Sequence, residues 1–333
     1  MQIAHDDPRI SWPGSVSLER TDTYTRPWRL PFDSIERFYP ALQEKGASAS
    51  GVRIDLISSS TKIAGKFLPI STERPKMDLF IDGEFHSSVD LTGQTEFVFE
   101  NLSSAEKRIE LWLPQFAMFS LESLVLDEGA SLKKVEDSRP KWITYGSSIT
   151  HCRGAESPSL TWPSIAARTL GLNLTSMGFG GECHLDIAIA RTIRDSEADI
   201  ISICSGINIQ GRCSLNERSF PSNLMGSVDI IREKHPEIPI LLISPIFACH
   251  RETQQNAVGW NLQDYRNAVQ ETAAKLRDLG DQQIYYLSGL DLFDESLVEF
   301  LPDQLHPNAE GYQIMGKNFV EFAQRSPEIF PSV

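Results

Sequence analysis

Four short segments hold the residue types that acyl chemistry needs. In Trp142-Ile143-Thr144-Tyr145-Gly146-Ser147-Ser148-Ile149-Thr150, a short apolar strand runs into a glycine turn and a cluster of hydroxyls, a turn that can present a serine at the strand's C-terminal edge. Taken alone, a serine after a glycine is an ordinary turn residue that bonds its own backbone. Gly178-Phe179-Gly180-Gly181-Glu182 and Ser205-Gly206-Ile207-Asn208 follow two further strand-like runs, and Asp303-Gln304-Leu305-His306-Pro307 lies near the C-terminus. In chain order these supply a hydroxyl nucleophile, a backbone donor, an amide donor, and an acid beside a base. A serine hydroxyl is a poor nucleophile at neutral pH and needs a base within reach, itself oriented by a third group. The spacing of Asp303 and His306 lets a single turn bring the carboxylate to one imidazole nitrogen and leave the other for a serine. The tetrahedral intermediate puts negative charge on the former carbonyl oxygen, which calls for preorganised donors.

The elements that must position these groups change character along the chain. After residue 141, apolar strands alternate with helical stretches: the strands are read as Trp142 to Tyr145, Leu172 to Met177, Ile200 to Cys204, Ile240 to Ser244 and Ile284 to Leu287. Trp162, Ile165, Ala166 and Leu170 fall at helical spacing, with Pro163 suited to a first turn. The alternation predicts an α/β domain with a parallel sheet and helices on both faces, whose site forms beyond the carboxyl ends of the strands. All three mid-chain segments sit immediately after predicted strands. Before residue 139 the chain alternates with period two and turns often. Val52, Ile54 and Leu56 share one face of a strand read as half-buried, and Met77 to Phe85 enters a hairpin at Asp82-Gly83. Thr95 to Phe99 and Arg108 to Leu113 continue the pattern of a β-sandwich. Lys133 to Lys141 reads as the linker, giving domains 1–139 (all-β) and 140–333 (α/β).

The four segments resemble the consensus blocks of the SGNH hydrolases, also called GDSL esterases, in that family's order and over residues 140 to 325. The resemblance implies a flavodoxin-like parallel sheet with flanking helices. It aligns Ser148, rather than Ser147, with the nucleophile. Gly181 and Asn208 align with the oxyanion-hole residues, joined by the Ser148 N–H, and Asp303 and His306 complete the triad. Ser147 stands where the family usually has aspartate, and Ile209 where an aspartate often follows the asparagine. These departures bear on subfamily and substrate more than on chemistry. The preceding sandwich also resembles the jelly-roll-like domain of two-domain carbohydrate acetyl esterases. The implied activity is hydrolysis of a short-chain acyl ester, such as acetyl, of a carbohydrate or small hydroxylated metabolite through an acyl-enzyme, with no cofactor. An acyltransferase on the same triad and a catalytically silent glycan-binding protein are the alternatives.

Several of these residues have plainer readings. Asp303 can cap the final helix around Gly311 to Phe319, Gly180-Gly181 can be a simple turn, and Asn208 can bond its own backbone. Their joint occurrence after separate strands favours the site. His151-Cys152 and Cys183-His184 could meet as a tetrahedral zinc site or a Cys152–Cys183 disulfide, but they lack within-pair ligand spacing. No metal is therefore assigned. Trp260 lies on a polar stretch at the edge of the expected site, where it can stack on a sugar or pack the loop, and Trp162 is read as core.

The chain has 333 residues, room for two domains, and a formal charge of −14 with Lys and Arg scattered. Nucleic acid and anionic membranes are poor partners for such a surface. No apolar run reaches the ~20 residues of a membrane span, and the N-terminus does not read as a signal peptide. Five cysteines, an odd count, suit reduced thiols and a cytoplasmic location. The expected partner is a small-molecule or carbohydrate ester, and the sandwich leaves homo-oligomer formation open.

Overall fold

Period-two alternation over the first part of the chain builds two antiparallel sheets. The computed structural model describes residues 1–73 and 75–330, so the last three positions of the 140–333 span lie outside the described residues. The chain forms two compact units: Met1–Ser138 with Ser157–Ser159, and Arg139–Glu156 with the chain from Leu160 on.

The strands described in the first unit are β1 (Gln2–Ala4), β2 (Ser17–Arg20), β3 (Thr25–Trp28), β4 (Arg53–Ser58), β5 (Ile63–Phe67), β6 (Lys76–Ile81), β7 (Glu84–Asp90), β8 (Glu96–Phe99), β9 (Lys107–Trp112), β10 (Leu121–Leu126) and β11 (Leu132–Lys133), with one helix, α1 (Pro40–Gly46). One sheet runs β2-β3-β10-β5-β8 with β1 also on β10, the other β11-β4-β9-β6-β7. Ile54, Leu56, Leu79, Ile109 and Leu111 of the second sheet share an apolar core with Ile63, Phe67, Phe97, Leu121 and Leu124 of the first, the packing of a sandwich. The β6–β7 hairpin turns at Asp82 (φ 50°) and Gly83 (φ 88°), both left-handed as a two-residue turn requires. The half-buried reading of β4 needs correction. Its other face carries Arg53 and Asp55, each 1% exposed. That polar face is covered because it is internally neutralised: Arg108 bonds both Asp55 oxygens, at 3.0 and 2.6 Å, and reaches Asp137 at 2.9 Å, while Arg53 stacks on Trp112.

In the second unit β12 (Lys141–Gly146), β13 (Asn173–Gly178), β14 (Ile200–Cys204), β15 (Ile240–Ile243) and β16 (Ile284–Leu287) form a parallel sheet in the order β13-β12-β14-β15-β16. The five strands lie where the apolar runs were read, with shifts of a residue or two at the ends. The helices are α2 (Ser148–His151), α3 (Trp162–Thr169), α4 (Ile187–Asp195), α5 (Ile207–Arg212), α6 (Ser219–Arg232), α7 (Leu262–Asp278), α8 (Gly289–Leu292) and α9 (Ala309–Gln324). α3 packs with α9, and α4 and α7 pack with α6. Two helical layers account for the complete burial of β14 and β15. Trp162 is core as read, fully buried beside Trp142 and Phe319. β12 lies between β13 and β14, and Gly146 pairs in register with Gly178. The chain therefore leaves these three strands at one edge and at nearly one level, the switch point where such sheets form a crevice. No described helix is long and apolar enough to cross a membrane.

Candidate active site

The glycine turn after β12 separates the two serines. Ser147 is the N-cap of α2: its Oγ accepts the Ile149 N–H at 3.2 Å, and the residue is 1% exposed. Ser148, one position on, is half-buried, and its Oγ lies 2.8 Å from His306 Nε2. His306 Nδ1 lies 2.6 Å from Asp303 Oδ2. Asp303 Oδ1 accepts the backbone N–H groups of Leu305 (3.0 Å) and His306 (2.7 Å), so the carboxylate organises the turn that carries the imidazole. With Nδ1–H donating to the Asp303 carboxylate, Nε2 is left as the acceptor facing the serine hydroxyl. Partial burial pulls the Asp303 carboxyl upward, but the hydrogen bonds from the His306 backbone and ring outweigh it and hold the group below the usual carboxylate range. Asp303 is not the cap of the last helix. Asn308 fills that position, its Oδ1 accepting from Gly311 N at 2.9 Å.

The segment after β13 lies against this pair. A Cβ on Gly180 would stand 3.7 Å from Ser148 Cβ, and the Gly180 N–H donates to His151 Nδ1 at 3.3 Å. Gly181 has φ 82° and open space where a side chain would stand. Asn208 sits at the start of α5, reached through Gly206 at φ 126°, where a Cβ would meet Pro245 Cγ at 2.6 Å. The Cys183 N–H donates to Asn208 Oδ1 at 3.1 Å. A backbone donor must face the carbonyl end of the amide, so Nδ2 is left pointing elsewhere and makes no hydrogen bond among the described residues. The Ser148 N–H, at the first helical position of α2, and the Gly181 N–H are likewise without a described acceptor. Three donors at this edge are thus uncommitted.

The His151, Cys152, Cys183 and His184 set does not assemble. Cys152 Sγ donates to Ile149 O and Cys183 Sγ to Cys204 O, and both thiols are free. Burial pushes both thiols well up, which keeps them protonated and poor as ligands. His184 instead bridges Ser214 Oγ (2.8 Å) and Gly181 O (3.1 Å). Among the described residues no three His, Cys, Asp or Glu side chains are grouped to hold a metal. Trp260 packs edge-on against Tyr265, with ring centroids 4.9 Å apart, and against Phe220.

Sequence reasoning gave no role at this edge to several further groups. His151 is read from the sequence only as a possible metal ligand, and its contact with Gly180 has no sequence signature. Arg251 and the Glu252–Arg266 pair lie on and behind the loop after β15, and only their position after a strand hinted at them.

The model of the GDSL-like lipase/acylhydrolase family matches residues 140–323, and that of the SsfX3 N-terminal domain matches residues 10–122. Among solved structures, the chain is similar over 99% of its length to the salicylyl-acyltransferase SsfX3 from a tetracycline biosynthetic pathway, covering 98% of that chain at 34% identity with a TM-score of 0.91. A family two carbohydrate esterase from Clostridium thermocellum, solved with cellohexaose, shares the fold at 12% identity and TM-score 0.69, with 96% of this chain and 99% of that one covered. An acetyl xylan esterase, Est2A from Butyrivibrio proteoclasticus, does so at 12% identity and TM-score 0.63, with 99% of each chain covered. A search of curated proteins gives no match.

Proposed function

The chain belongs to the GDSL-like lipase/acylhydrolase family, and from that membership we propose that it is a serine esterase acting through Ser148, His306 and Asp303. The observation that carries the reading is the continuous relay from Ser148 Oγ to His306 Nε2 (2.8 Å) and from Nδ1 to Asp303 (2.6 Å). In this reading His306 Nε2 takes the hydroxyl proton as Oγ bonds to the ester carbonyl carbon. The oxygen that gains charge is met by the N–H groups of Ser148 and Gly181 and the Asn208 amide. The imidazolium then protonates the departing alkoxide as the C–O bond breaks, leaving an acyl-serine. Water, deprotonated by the same nitrogen, releases the acid and restores the hydroxyl. Residues 140–333 hold all of this machinery, and 1–139 supply the sandwich. The odd cysteine count supports a cytoplasmic setting. Turnover of p-nitrophenyl acetate with covalent labelling of Ser148 by a fluorophosphonate tests the reading, and no turnover with no label would overturn it.

Asn208→Ala is expected to lower kcat by ~10²–10³ while moving KM little, since the amide acts on charge that exists only in the transition state. An equal loss in KM alone would remove Asn208 from that role.

We further propose a short acyl group, acetyl or similar, on a carbohydrate or small hydroxylated metabolite. The loops around Gly206–Asn208 and Arg251–Asn261 are mostly polar, whereas an enzyme for aggregated lipid exposes a broad apolar patch. Specificity constants for acetyl, butyryl, octanoyl and palmitoyl esters of one alcohol are expected to peak at the short end. Monotonic improvement to palmitoyl would restore the lipase reading. The 34% identity to an acyltransferase favours a second reading, in which an alcohol rather than water takes the acyl group. Adding acceptor alcohols and measuring acylated product against free acid separates the two.

A further inference from the structure

Arg251 is a half-buried cation at the carboxyl edge of the sheet with no carboxylate in ion-pair contact among the described residues. It ends the 3₁₀ turn Cys249–Arg251, in the loop after β15. Its Nη1 donates to Ile207 O at 3.1 Å, directly before Asn208, and the guanidinium lies over Gly211 of α5, where a Cβ would stand 2.7 Å from Nη1. The loop that presents it is clamped from beneath. Arg266 bonds both oxygens of Glu252 at 2.9 and 3.1 Å and the carbonyls of Pro245 and Ile246, while the Ala248 N–H donates to Glu252 Oε1. Both sides of this pair are buried, so the loop has little freedom and the arginine has a set position. Arg251 also feels the charge of the Asp303 carboxylate. Burial draws the guanidinium down from its ordinary range, and that charge pulls it back up.

A guanidinium has five N–H donors, and only one is used among the described residues. Its remaining nitrogens are not among the buried unpartnered atoms, so they open to solvent. A cation bonded beside the asparagine corner, within the field of Asp303 but with no carboxylate in ion-pair contact among the described residues, is placed to take a ligand. Resting on the esterase reading, we propose that Arg251 recognises a carboxylate carried by the ester substrate, so that the site prefers anionic esters to neutral isosteres. The carboxylate belongs to the acyl group or to the alcohol, and the same chemistry serves both.

The test uses the full chain and two pairs of esters. 4-Acetoxybenzoate against 4-acetoxybenzamide places the charge on the alcohol, and p-nitrophenyl hemisuccinate against p-nitrophenyl succinamate places it on the acyl group. In one pair at least, kcat/KM is expected to favour the anion by about tenfold or more. Arg251→Gln, which keeps a donor for Ile207 O, is expected to erase that preference and leave neutral esters within about twofold of the parent. Arg251→Lys should retain part of it. No preference in either pair, or an equal loss on charged and neutral esters in Arg251→Gln, would overturn the proposal. If no ester turns over at all, the esterase reading fails separately. Calorimetric binding of benzoate against benzamide, with and without Arg251→Gln, then decides the arginine on its own.

Discussion

Ser148→Ala is expected to abolish ester hydrolysis, lowering kcat/KM by roughly 10⁴–10⁶-fold, because it removes the oxygen that lies 2.8 Å from His306 Nε2. The adjacent substitution should behave differently. Ser147 Oγ is committed to the Ile149 N–H and is 1% exposed, so Ser147→Ala removes a helix cap worth about 1 kcal/mol and leaves a folded, substantially active protein. Thermal melts of the two variants alongside p-nitrophenyl acetate rates make the comparison. The assignment is wrong if Ser147→Ala is the silent variant, or if the fluorophosphonate adduct maps to Ser147.

His306→Ala should be as damaging as loss of the serine, and the pH profile should show why. Only a neutral imidazole can accept the hydroxyl proton, so activity must fall as the solution is made acid. Asp303 does not set that limb. Its carboxyl is held below the ordinary range by the His306 backbone and ring, so it stays ionised after an unperturbed carboxylate would have begun to protonate. The linkage has the matching sign. The unfolded chain binds the proton more readily, so Asp303 stabilises the fold above the ordinary carboxylate range, and that contribution is lost as pH falls through the lowered value. Asp303→Asn should keep the turn, since the amide oxygen can still accept the Leu305 and His306 N–H groups, but it no longer favours a proton on Nδ1. Turnover is then expected to drop by ~10³–10⁴. A flat profile between about pH 5 and 8, with chemistry shown to be rate-limiting, would remove the histidine base.

The residues that organise the site differ in how far they can be read from their neighbours. The capping role of Asn308 was open to Asp303 on local grounds, because both precede the last helix. The structure separates them, since the Asp303 oxygens are already used within its own turn. His151 and Cys183 invited a metal reading by their types. His151 Nδ1 instead accepts the Gly180 N–H, and the Cys183 thiol donates to Cys204 O. β4 shows the same limit in the sandwich. Alternation identified which residues face the core, yet the burial of Arg53 and Asp55 depends on Arg108 and Glu110, brought in by β9.

The sequence by itself determined the two kinds of periodicity, hence a sandwich followed by a parallel α/β sheet, and it determined that hydroxyl, glycine, amide and acid–base segments leave the ends of successive strands. Period and turn chemistry are local, written within a few residues, so they survive without the fold. The resemblance already chose Ser148 over Ser147; only the tertiary structure decided that its hydroxyl lies against an imidazole 158 residues away, which end of the Asn208 amide is free, and that Arg251 stands beside that asparagine with most of its donors uncommitted among the described residues. Those outcomes are set by which strands neighbour one another and by sub-ångström packing around each turn, and no local pattern encodes either.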